Sequence, residues 1–353
     1  MANALPPPLN RLLKQTSRSF HLTLRVLPRA VRPQIGLAYL LARTTDTIAD
    51  TEIIPVEDRL RALQQLRARI LGTETSPFDF VELARRQELP AERALLENSE
   101  AGLTVLGELP PTDAQLVRKV LDTITSGQEL DLRRFHVASA ERIVALKSHA
   151  ELDDYTYRVA GCVGEFWTDI CVEHLFKLLE LHESTLSTSF KELGARFGKG
   201  LQLVNILRDL PVDLRKGRCY LPFDQLTEAG LKPANLLQPE SEAIFRPQYH
   251  RFLDLAESQL EAGWIYTNCI PWRQMRIRLA CAWPILIGME TIKRLRVENV
   301  LDPQRRVKIS RAEVRRLVWH SILCYPRPSA WKRLVKVTIS TAGKPVASGA
   351  KFA

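Results

Sequence analysis

Hydrophobic residues recur at helical spacing along most of this chain, and the sequence shows neither convincing strand alternation nor an internal repeat. Residues 56–71 illustrate the pattern, with apolar side chains at Leu60, Leu63, Leu66 and Ile70. The same spacing predicts long helices over residues 31–50, 114–135, 155–179, 190–214, 251–266 and 272–295. Pro90 is expected to start a further helix, and Ser310 the last one. The pattern therefore predicts an all-α protein.

Proline and glycine interrupt the chain without marking a second domain. Residues 1–8 are rich in proline, and we expect them to form a disordered lead. The longest irregular stretch covers residues 216–238. No shift in composition comes before residue 325, so we predict one helical domain over residues 9–325 and a tail over residues 326–353.

The net charge of +10 is concentrated at the C-terminal end. From Arg305 onward there are twelve Lys or Arg residues and one acid, Glu313, which gives +11 and leaves −1 for the rest. A nearly neutral main part argues against a nucleic-acid partner. The basic tail suits contact with anionic lipid headgroups, and its apolar residues are expected to anchor it at the membrane interface: Trp319, Ile322, Leu323, Trp331, Leu334 and Val337.

The lack of a signal-peptide pattern and the cysteine spacing indicate an intracellular protein. The N-terminal residues lack a basic region followed by an apolar run, and the longest apolar run, residues 279–289, is shorter than the ~20 residues of a membrane-spanning helix. The six cysteines show no CxxC spacing and are expected to be reduced. We expect a cytoplasmic protein that associates peripherally with membranes. The oligomeric state stays open, with a monomer favoured.

Two acidic stripes carry the main chemical signal. Each is a pair of aspartates four residues apart on a predicted helix, with polar residues on the same face. The first stripe consists of Tyr39, Arg43, Asp46 and Asp50. The second consists of Gln202, Asn205, Asp209 and Asp213. Each stripe spans less than about 90° of helix surface. If the two helices face each other, four carboxylates share one space, which hard cations such as Mg²⁺ would neutralise while bridging to phosphates.

A solvated acidic face is the ordinary explanation of a single aspartate pair. Here both pairs lie on helices that are otherwise mostly apolar, and a polar stripe on a buried helix needs partners. Arg18, Arg43 and Arg208 are candidates for contacts with a diphosphate, because a guanidinium can bond two phosphate oxygens at once. The alternative for each arginine is an ordinary ion pair with a neighbouring aspartate.

The segment around Tyr155 combines one tyrosine with small residues at Ala160, Gly161 and Gly164. Glycine inside a helix is tolerated where another group approaches the backbone closely. Tight packing between helices explains these residues, and so does a flat wall beside a long apolar ligand. Further candidates for such a wall are Cys162, Val163, Phe166, Cys281 and Pro284, although core packing explains them equally well.

Four segments, in order along the chain, resemble the squalene/phytoene synthase family. They are SRSF (residues 17–20), YLLARTTDTIAD (39–50), YTYRVAGCVG (155–164) and QLVNILRDLPVDLRKGRCYLP (202–222). The agreement extends from about residue 10 to residue 323. Two later segments, CAWP (281–284) and VKIS (307–310), are more similar to squalene synthases than to phytoene synthases.

The resemblance implies a single-domain isoprenoid-synthase helical bundle with a central cavity. It implies that Mg²⁺ ions bind to Asp46, Asp50, Asn205, Asp209 and Asp213. It implies that the substrate diphosphate contacts Ser17, Arg18, Ser19, Tyr39, Arg43, Gln202, Asn205, Arg208 and Arg218. Tyr155 would be the polar residue near the reacting carbons. Lys308, together with Asn205, would contact NADPH.

The implied activity is a squalene synthase that condenses two farnesyl diphosphates to presqualene diphosphate and reduces this with NADPH. Ala49 and Val212 stand where the family often has Glu, and Ser310 stands where it commonly has Arg. The alternatives are synthases that stop at presqualene diphosphate, dehydrosqualene or phytoene. A non-catalytic scaffold of the same family and a basic-tailed binding protein are more distant alternatives. The sequence leaves the product and the substrate chain length open.

Overall fold

The computed structural model describes residues 5–17, 20–76, 80–176, 184–302 and 307–336. These residues form α-helices, two short strands, one π-helical turn at Tyr157–Gly161 and two 3₁₀ turns at Pro233–Leu237 and Pro239–Ser241. The helices are α1 (Pro7–Thr16), α2 (Phe20–Val26), α3 (Arg32–Asp50), α4 (Val56–Leu71), α5 (Val81–Arg85), α6 (Pro90–Glu97), α7 (Ser99–Glu108), α8 (Pro111–Arg134), α9 (His149–Thr156), α10 (Cys162–His174), α11 (Ser184–Arg215), α12 (Phe223–Glu228), α13 (Glu242–Cys269), α14 (Met275–Leu295), α15 (Arg311–Cys324) and α16 (Pro328–Lys332). The strands are β1 (Val144–Leu146) and β2 (Arg218–Pro222).

The all-α class predicted from the periodicity is confirmed, and several helix boundaries follow from the local sequence. α4 covers residues 56–71 as predicted and ends at Gly72, whose φ of 77° is left-handed. α3 begins at Arg32, with Pro33 in its first turn, where the missing N–H costs no hydrogen bond. The predicted helix over residues 155–179 is divided, because the π-helical turn separates α9 from α10.

The two strands were not predicted, since β1 has three residues and β2 lies in the stretch expected to be irregular. They pair in parallel, with Val144 opposite Arg218 and Ala145 opposite Cys219. Gly217 leads into β2 with φ of 78°, and a Cβ at this position would collide with the backbone of Ser139. This pair of strands holds Arg218 and the residues after it against the helices.

Most apolar side chains fall into two hydrophobic clusters. One packs the N-terminal helices with α10, and the other packs α11, α13 and α14 with the C-terminal segment. α10 and α11 approach each other through glycines: a Cβ on Gly164 would collide with the carbonyl of Gly194, and one on Gly198 with the carbonyl of Ala160. Tight helix packing is therefore one reason for the small residues near Tyr155.

The folded part begins earlier than expected. Leu5 is buried and α1 starts at Pro7, so within the described residues the expected disordered lead is wrong for Leu5 to Pro8. Pro7 occupies the first turn of the helix, where its fixed φ is favourable. Leu9, Leu12 and Leu13 of α1 then enter the first cluster.

The folded part also continues beyond residue 325. Trp331 on α16 is fully buried and stacks on Trp264, with ring centroids 5.2 Å apart. The guanidinium of Arg278 lies 5.5 Å from the Trp331 ring and 4.6 Å from the ring of Trp272. The expectation that Trp331 anchors the chain at a membrane is therefore wrong, because its ring belongs to the core. Val337 and the rest of the tail lie outside the described residues.

The apolar residues of α15 differ from Trp331. Trp319 is 64% exposed and Leu323 is 65% exposed, so these two side chains remain available at the surface. Within the described ranges, no helix is long and apolar enough to cross a bilayer.

Candidate active site

A polar cavity of about 530 Å³ lies between α3, α8, α9, α11 and β2. Its lining includes eight residues predicted from the sequence: Ser17, Tyr39, Arg43, Asp46, Asp50, Tyr155, Gln202 and Arg218. The helical spacing of the first stripe explains the shared orientation of its four members. The tertiary fold brings three further residues to the wall of this cavity: Tyr155, Gln202 and Arg218. Arg18 and Ser19 lie outside the described residues.

An apolar cavity of about 430 Å³ adjoins the polar one. Both cavities are lined by Tyr39, Ala42, Ile124, Val159 and Val163. The remaining wall of the apolar cavity includes Phe166, Trp167, Phe197, Leu201, Cys281 and Pro284. Together the two cavities form a space with one charged end and one hydrocarbon-like end.

The residues proposed for an apolar wall differ in whether they line the apolar cavity or lie in the hydrophobic core. Val163, Phe166, Cys281 and Pro284 line the apolar cavity, as expected of a wall. Cys162 lines neither of the two cavities and is buried in the first hydrophobic cluster, where burial raises the pKa of its thiol to about 12. Gly164 serves both roles, since it lines the apolar cavity and contacts α11 closely.

The first acidic stripe is held by Arg43 in this structure. Arg43 forms an ion pair with Asp46 on its own helix and a second one with Glu92 of α6 at 2.8 Å. Burial, followed by the charge of Asp50, raises the pKa of Asp46 to about 6, although Arg43 acts in the opposite direction. Burial also raises the pKa of Asp50. Burial is thus the largest cause of both shifts, and the nearby cations offset it only in part.

The members of the second acidic stripe do not all line the same cavity. Gln202 lines the polar cavity and Asn205 lines the apolar one, whereas Arg208, Asp209 and Asp213 line neither. Arg208 pairs with the adjacent Asp209 at 3.0 Å, which is the ordinary ion pair considered above. Burial and then Asp209 raise the pKa of Asp213 to about 7. Asp213 therefore also lacks full charge compensation.

Arg218 is the cation that connects the two stripes. Its charge lowers the pKa of both Asp50 and Asp213, which belong to different stripes. Its guanidinium also lies 3.4 Å from Glu52, which Lys216 approaches at 3.0 Å. β2 and the Gly217 turn place this side chain, so its position depends on the strand pair that the sequence pattern did not predict.

The donor atoms of the site fit a hard cation that also binds a phosphate. Among the described residues, no three His, Cys, Asp or Glu side chains gather as a ready-made metal site. Mg²⁺ is commonly held by one or two carboxylates together with substrate phosphates rather than by a complete protein cage. The buried Ser17 Oγ, Gln128 Oε1 and Asp131 Oδ1 have no hydrogen-bond partner within the described part of the chain. These oxygens and the under-compensated aspartates are suited to a hydrated cation and its phosphate.

The predicted cofactor segment, which includes Lys308 and Ser310, follows α14 and lines neither of the two cavities. Lys308 is exposed and lines neither cavity, and its backbone oxygen accepts a hydrogen bond from Arg294 at 2.6 Å. Ser310 caps α15 through a reciprocal hydrogen-bond pair with Glu313. These contacts belong to the start of α15, and a role of Lys308 in binding NADPH stays a prediction.

Sequence reasoning missed Gln128, Asp131 and Tyr220, all of which line the polar cavity. Gln128 and Asp131 are three residues apart on α8, which places them on one face, and this polar pair could have been noticed. Tyr220 follows Arg218 in a matched segment but carries no periodicity of its own. Tyr220 donates a hydrogen bond to Asp131 at 2.8 Å and stacks on Tyr155.

Comparison with known proteins identifies the family of this chain. The family model described as squalene/phytoene synthase matches residues 13–313. A bifunctional lycopene cyclase/phytoene synthase of Phaeosphaeria nodorum is 31% identical over 252 residues, which cover 70% of this chain and 39% of that protein. A squalene synthase of Saccharomyces cerevisiae is 27% identical over 233 residues, which cover 66% of this chain and 49% of that protein. The chain thus spans less than half the length of these relatives.

Solved structures give the same fold. A ligand complex of TcSQS has a TM-score of 0.72 at 21% identity, covering 89% of this chain and 86% of that one. A dehydrosqualene synthase bound to a ligand has a TM-score of 0.63 at 21% identity, and the match covers 90% of this chain and 95% of that one. The squalene synthase HpnC from Alicyclobacillus acidocaldarius has a TM-score of 0.59 at 19% identity, covering 82% and 92%. At these identities the likeness concerns the fold alone.

Proposed function

Because the chain belongs to the squalene/phytoene synthase family, we propose that it joins two prenyl diphosphates head to head, with farnesyl diphosphate as its substrate. The family is one of prenyltransferases in isoprenoid biosynthesis. The observation that carries the proposal is the junction of the polar and apolar cavities along five shared residues. A prenyl diphosphate has the same division into a charged head and a long hydrocarbon chain.

The polar cavity supplies groups for the diphosphate head. Arg43 and Arg218 line it and can each bond two phosphate oxygens, and Ser17 adds a hydroxyl that has no partner among the described residues. Arg43 now pairs with two acids, so a diphosphate would replace one carboxylate partner with another anion. Arg18, Ser19 and Arg208 remain part of the proposed diphosphate site on the basis of the family resemblance.

The aspartate pairs would hold Mg²⁺, with Asp46 and Asp50 on α3, and Asp209, Asp213 and Asn205 on α11. Bound Mg²⁺ neutralises charge on the diphosphate as it leaves. The raised pKa values of Asp46 and Asp213 support this role, since burial penalises their negative charge and leaves it for a cation to compensate. Tyr39 and Gln202 line the same cavity and complete its polar wall.

The proposed reaction begins when the C1–O bond of the donor breaks and its electron pair leaves with the diphosphate. The double bond of the second molecule attacks the remaining allylic cation and forms the new C–C bond. Loss of a proton then closes the cyclopropane ring of presqualene diphosphate. Val163, Phe166 and Pro284 help the apolar cavity to exclude water, which would otherwise quench the cation. Tyr155 lies in the polar wall, one helical turn before Val159 at the junction.

We propose squalene as the product when NADPH is supplied. This part of the proposal rests on the resemblance of the CAWP and VKIS segments to squalene synthases. Lys308 is exposed and lines neither cavity, so no step of the reduction is assigned to a residue. The second candidate is a phytoene synthase, which the names of several relatives favour.

The decisive experiment incubates the purified protein with farnesyl diphosphate and Mg²⁺ and measures released diphosphate together with the hydrocarbon mass. Asp46→Asn should reduce the rate by on the order of 1,000-fold, because electrostatic stabilisation of the leaving group is usually the largest catalytic term. Asp58→Asn is the matched control, since Asp58 lies on α4 and pairs with Arg61 away from the polar cavity. An Asp46→Asn variant that keeps the full rate would refute the proposed metal site.

Parallel reactions separate the possible products. With NADPH, farnesyl diphosphate should give squalene, whereas without it the reaction should stop at presqualene diphosphate or dehydrosqualene. Conversion of geranylgeranyl diphosphate to phytoene at a higher kcat/KM would favour the second candidate instead. No diphosphate release from either substrate would point to a non-catalytic member of the family.

We also propose that the chain associates with an anionic membrane surface. α15 presents Trp319 and Leu323 to solvent beside the exposed Arg315 and Arg316, and this combination suits an interfacial helix. Flotation with vesicles containing phosphatidylserine should recover the full chain, and Trp319→Ala with Leu323→Ala should reduce recovery several-fold. Ile244→Ala is the control, because Ile244 is 60% exposed on α13. Equal recovery of all variants would refute this surface.

A further inference from the structure

The apolar cavity extends to a similar depth along two neighbouring helices. Its farthest lining residue from the polar cavity is Ile35 on α3 and Val120 on α8. Ile35 lies eleven residues before Asp46, and Val120 lies eleven residues before Asp131. Both aspartates line the polar cavity. At 1.5 Å per residue, each helix therefore separates its acid from the far end of the apolar cavity by about 16 Å.

The helix directions make these two distances comparable. In the first turn of α3, Gln34 Nε2 donates to Asp113 Oδ2 in the first turn of α8 at 2.9 Å. Toward the other ends of these helices, Asp50 and Asp131 line the polar cavity. α3 and α8 thus run in the same direction, toward the polar cavity. α10 runs in the opposite direction, because its last residue, His174, has Nε2 2.8 Å from Asp113 Oδ1.

Two fully buried aliphatic residues lie just beyond the far end of the apolar cavity. On α8, Val117 lies between the cavity residue Val120 and Asp113. On α10, Ile170 follows the cavity residue Phe166 by about one turn and lies on the same helix face. Val117 and Ile170 belong to the first hydrophobic cluster and line neither cavity. The hydrogen bonds of Asp113 hold the ends of α3, α8 and α10 together behind them.

The depth of the apolar cavity matches three isoprene units. With carbon–carbon bonds of about 1.5 Å, the four main-chain bonds of one isoprene unit extend about 5 Å. Three units therefore extend about 15 Å, and they end beside Ile35 and Val120 when the diphosphate lies near Asp46. A fourth unit adds about one helical turn of 5.4 Å and reaches the level of Val117 and Ile170.

We propose that Val117 and Ile170 determine the substrate chain length, so that the apolar cavity accepts a farnesyl chain and excludes a geranylgeranyl chain. This inference rests on the proposed function and selects between its two candidates. The two residues act by excluded volume, because a densely packed core has no room for an added isoprene unit unless side chains or backbone move. Truncation of either residue leaves a space that its neighbours fill only in part, and this space admits the fourth unit.

The test measures kcat/KM for diphosphate release from farnesyl and geranylgeranyl diphosphate in the presence of Mg²⁺. The wild type should prefer farnesyl diphosphate by about 10-fold or more, and Val117→Ala and Ile170→Ala should each reduce this preference by about 10-fold or more. Ile292→Ala is the matched control. Ile292 is equally well buried, but it lies on α14 in the second hydrophobic cluster and lines neither cavity. This variant should keep the wild-type preference.

An opposite change tests the same depth without truncating the core. Ala38 lines the apolar cavity about one turn closer to the polar cavity than Ile35. Ala38→Leu should therefore shorten the available chain by about one isoprene unit. It should lower kcat/KM for farnesyl diphosphate about 10-fold more than kcat/KM for the shorter geranyl diphosphate.

The possible failures are distinguishable. If the wild-type protein releases diphosphate from none of these substrates, the proposed function fails. A wild type that prefers geranylgeranyl diphosphate overturns the inference on chain length and leaves the second candidate function. If the wild type prefers farnesyl diphosphate and the preference stays unchanged in Val117→Ala, Ile170→Ala and Ala38→Leu, only the present inference is overturned. An equal shift in Ile292→Ala also overturns it, because loosening of the core in general would then explain the result. Circular dichroism melting verifies that the compared variants retain the fold.

Discussion

Replacement of Trp331 by alanine tests whether the C-terminal segment belongs to the core. The Trp331 indole is fully buried, stacks on Trp264 and meets the ring of Tyr325 edge-on at 5.0 Å. Its Nε1 donates to Asn268 Oδ1 at 3.0 Å. The buried guanidinium of Arg278 lies against the same ring at 5.5 Å. Trp331→Ala removes all of these contacts at once and leaves a cavity in the second hydrophobic cluster.

The magnitude follows from burial. Replacing a fully buried tryptophan by alanine lowers the free energy of unfolding by about 3–5 kcal/mol. The aromatic and cation–π contacts of Trp331 place the expected loss in the upper half of this range. With an unfolding entropy of about 2.1 cal/mol/K per residue, a loss of about 4 kcal/mol lowers Tm by about 5 °C in a chain of 353 residues. Trp319→Ala is the matched control. Trp319 is 64% exposed, so its replacement should change stability by less than about 0.5 kcal/mol.

The assay is thermal and urea unfolding of the full chain, followed by circular dichroism. Removal of residues 326–353 should destabilise the protein at least as much as Trp331→Ala, because the truncation removes the same indole. Equal Tm values for Trp331→Ala and Trp319→Ala would refute the reasoning and would restore the expectation of a tail that starts at residue 326.

Two further predictions concern helix packing and a buried carboxyl group. Gly198→Ala should lower Tm by about 5 °C or more, because the added Cβ collides with the carbonyl of Ala160. Gly107→Ala on α7 is the control for the same melting experiment. A Cβ on Gly107 has no heavy atom within 4 Å, so this change should leave Tm unchanged or slightly higher. Burial raises the pKa of Asp131 from 3.8 to about 6, so the folded state binds more protons than the unfolded state between these values, and stability falls as pH rises through this window. Asp46 and Asp213 also have raised pKa values and lose stability over this window in both proteins. Urea unfolding at pH 4 and pH 7 should therefore show a loss that is smaller in Asp131→Asn than in the wild type by on the order of 2 kcal/mol, and an identical loss in both proteins would contradict the assignment.

The sequence by itself determined the all-α class, several of the long helices and the acidic stripes. Apolar spacing was sufficient for α3 and α4, because a helix that buries one face must repeat apolar residues at that period. The first stripe was equally predictable, since residues four apart on one helix share a face whatever surrounds them. The small residues near Tyr155 also indicated close contact, although the sequence could not separate a packed helix from a ligand wall.

Only the tertiary structure decided which distant groups meet. Arg43 pairs with Glu92, which lies on another helix, and Tyr220 reaches Asp131 from a strand too short to leave a periodic signal. Trp319 and Trp331 follow each other in similar basic surroundings, yet one is exposed and the other is the centre of an aromatic cluster. Local periodicity depends on the geometry of one element, whereas these contacts depend on how separate elements pack, and that is fixed by the shapes of side chains far apart in the chain.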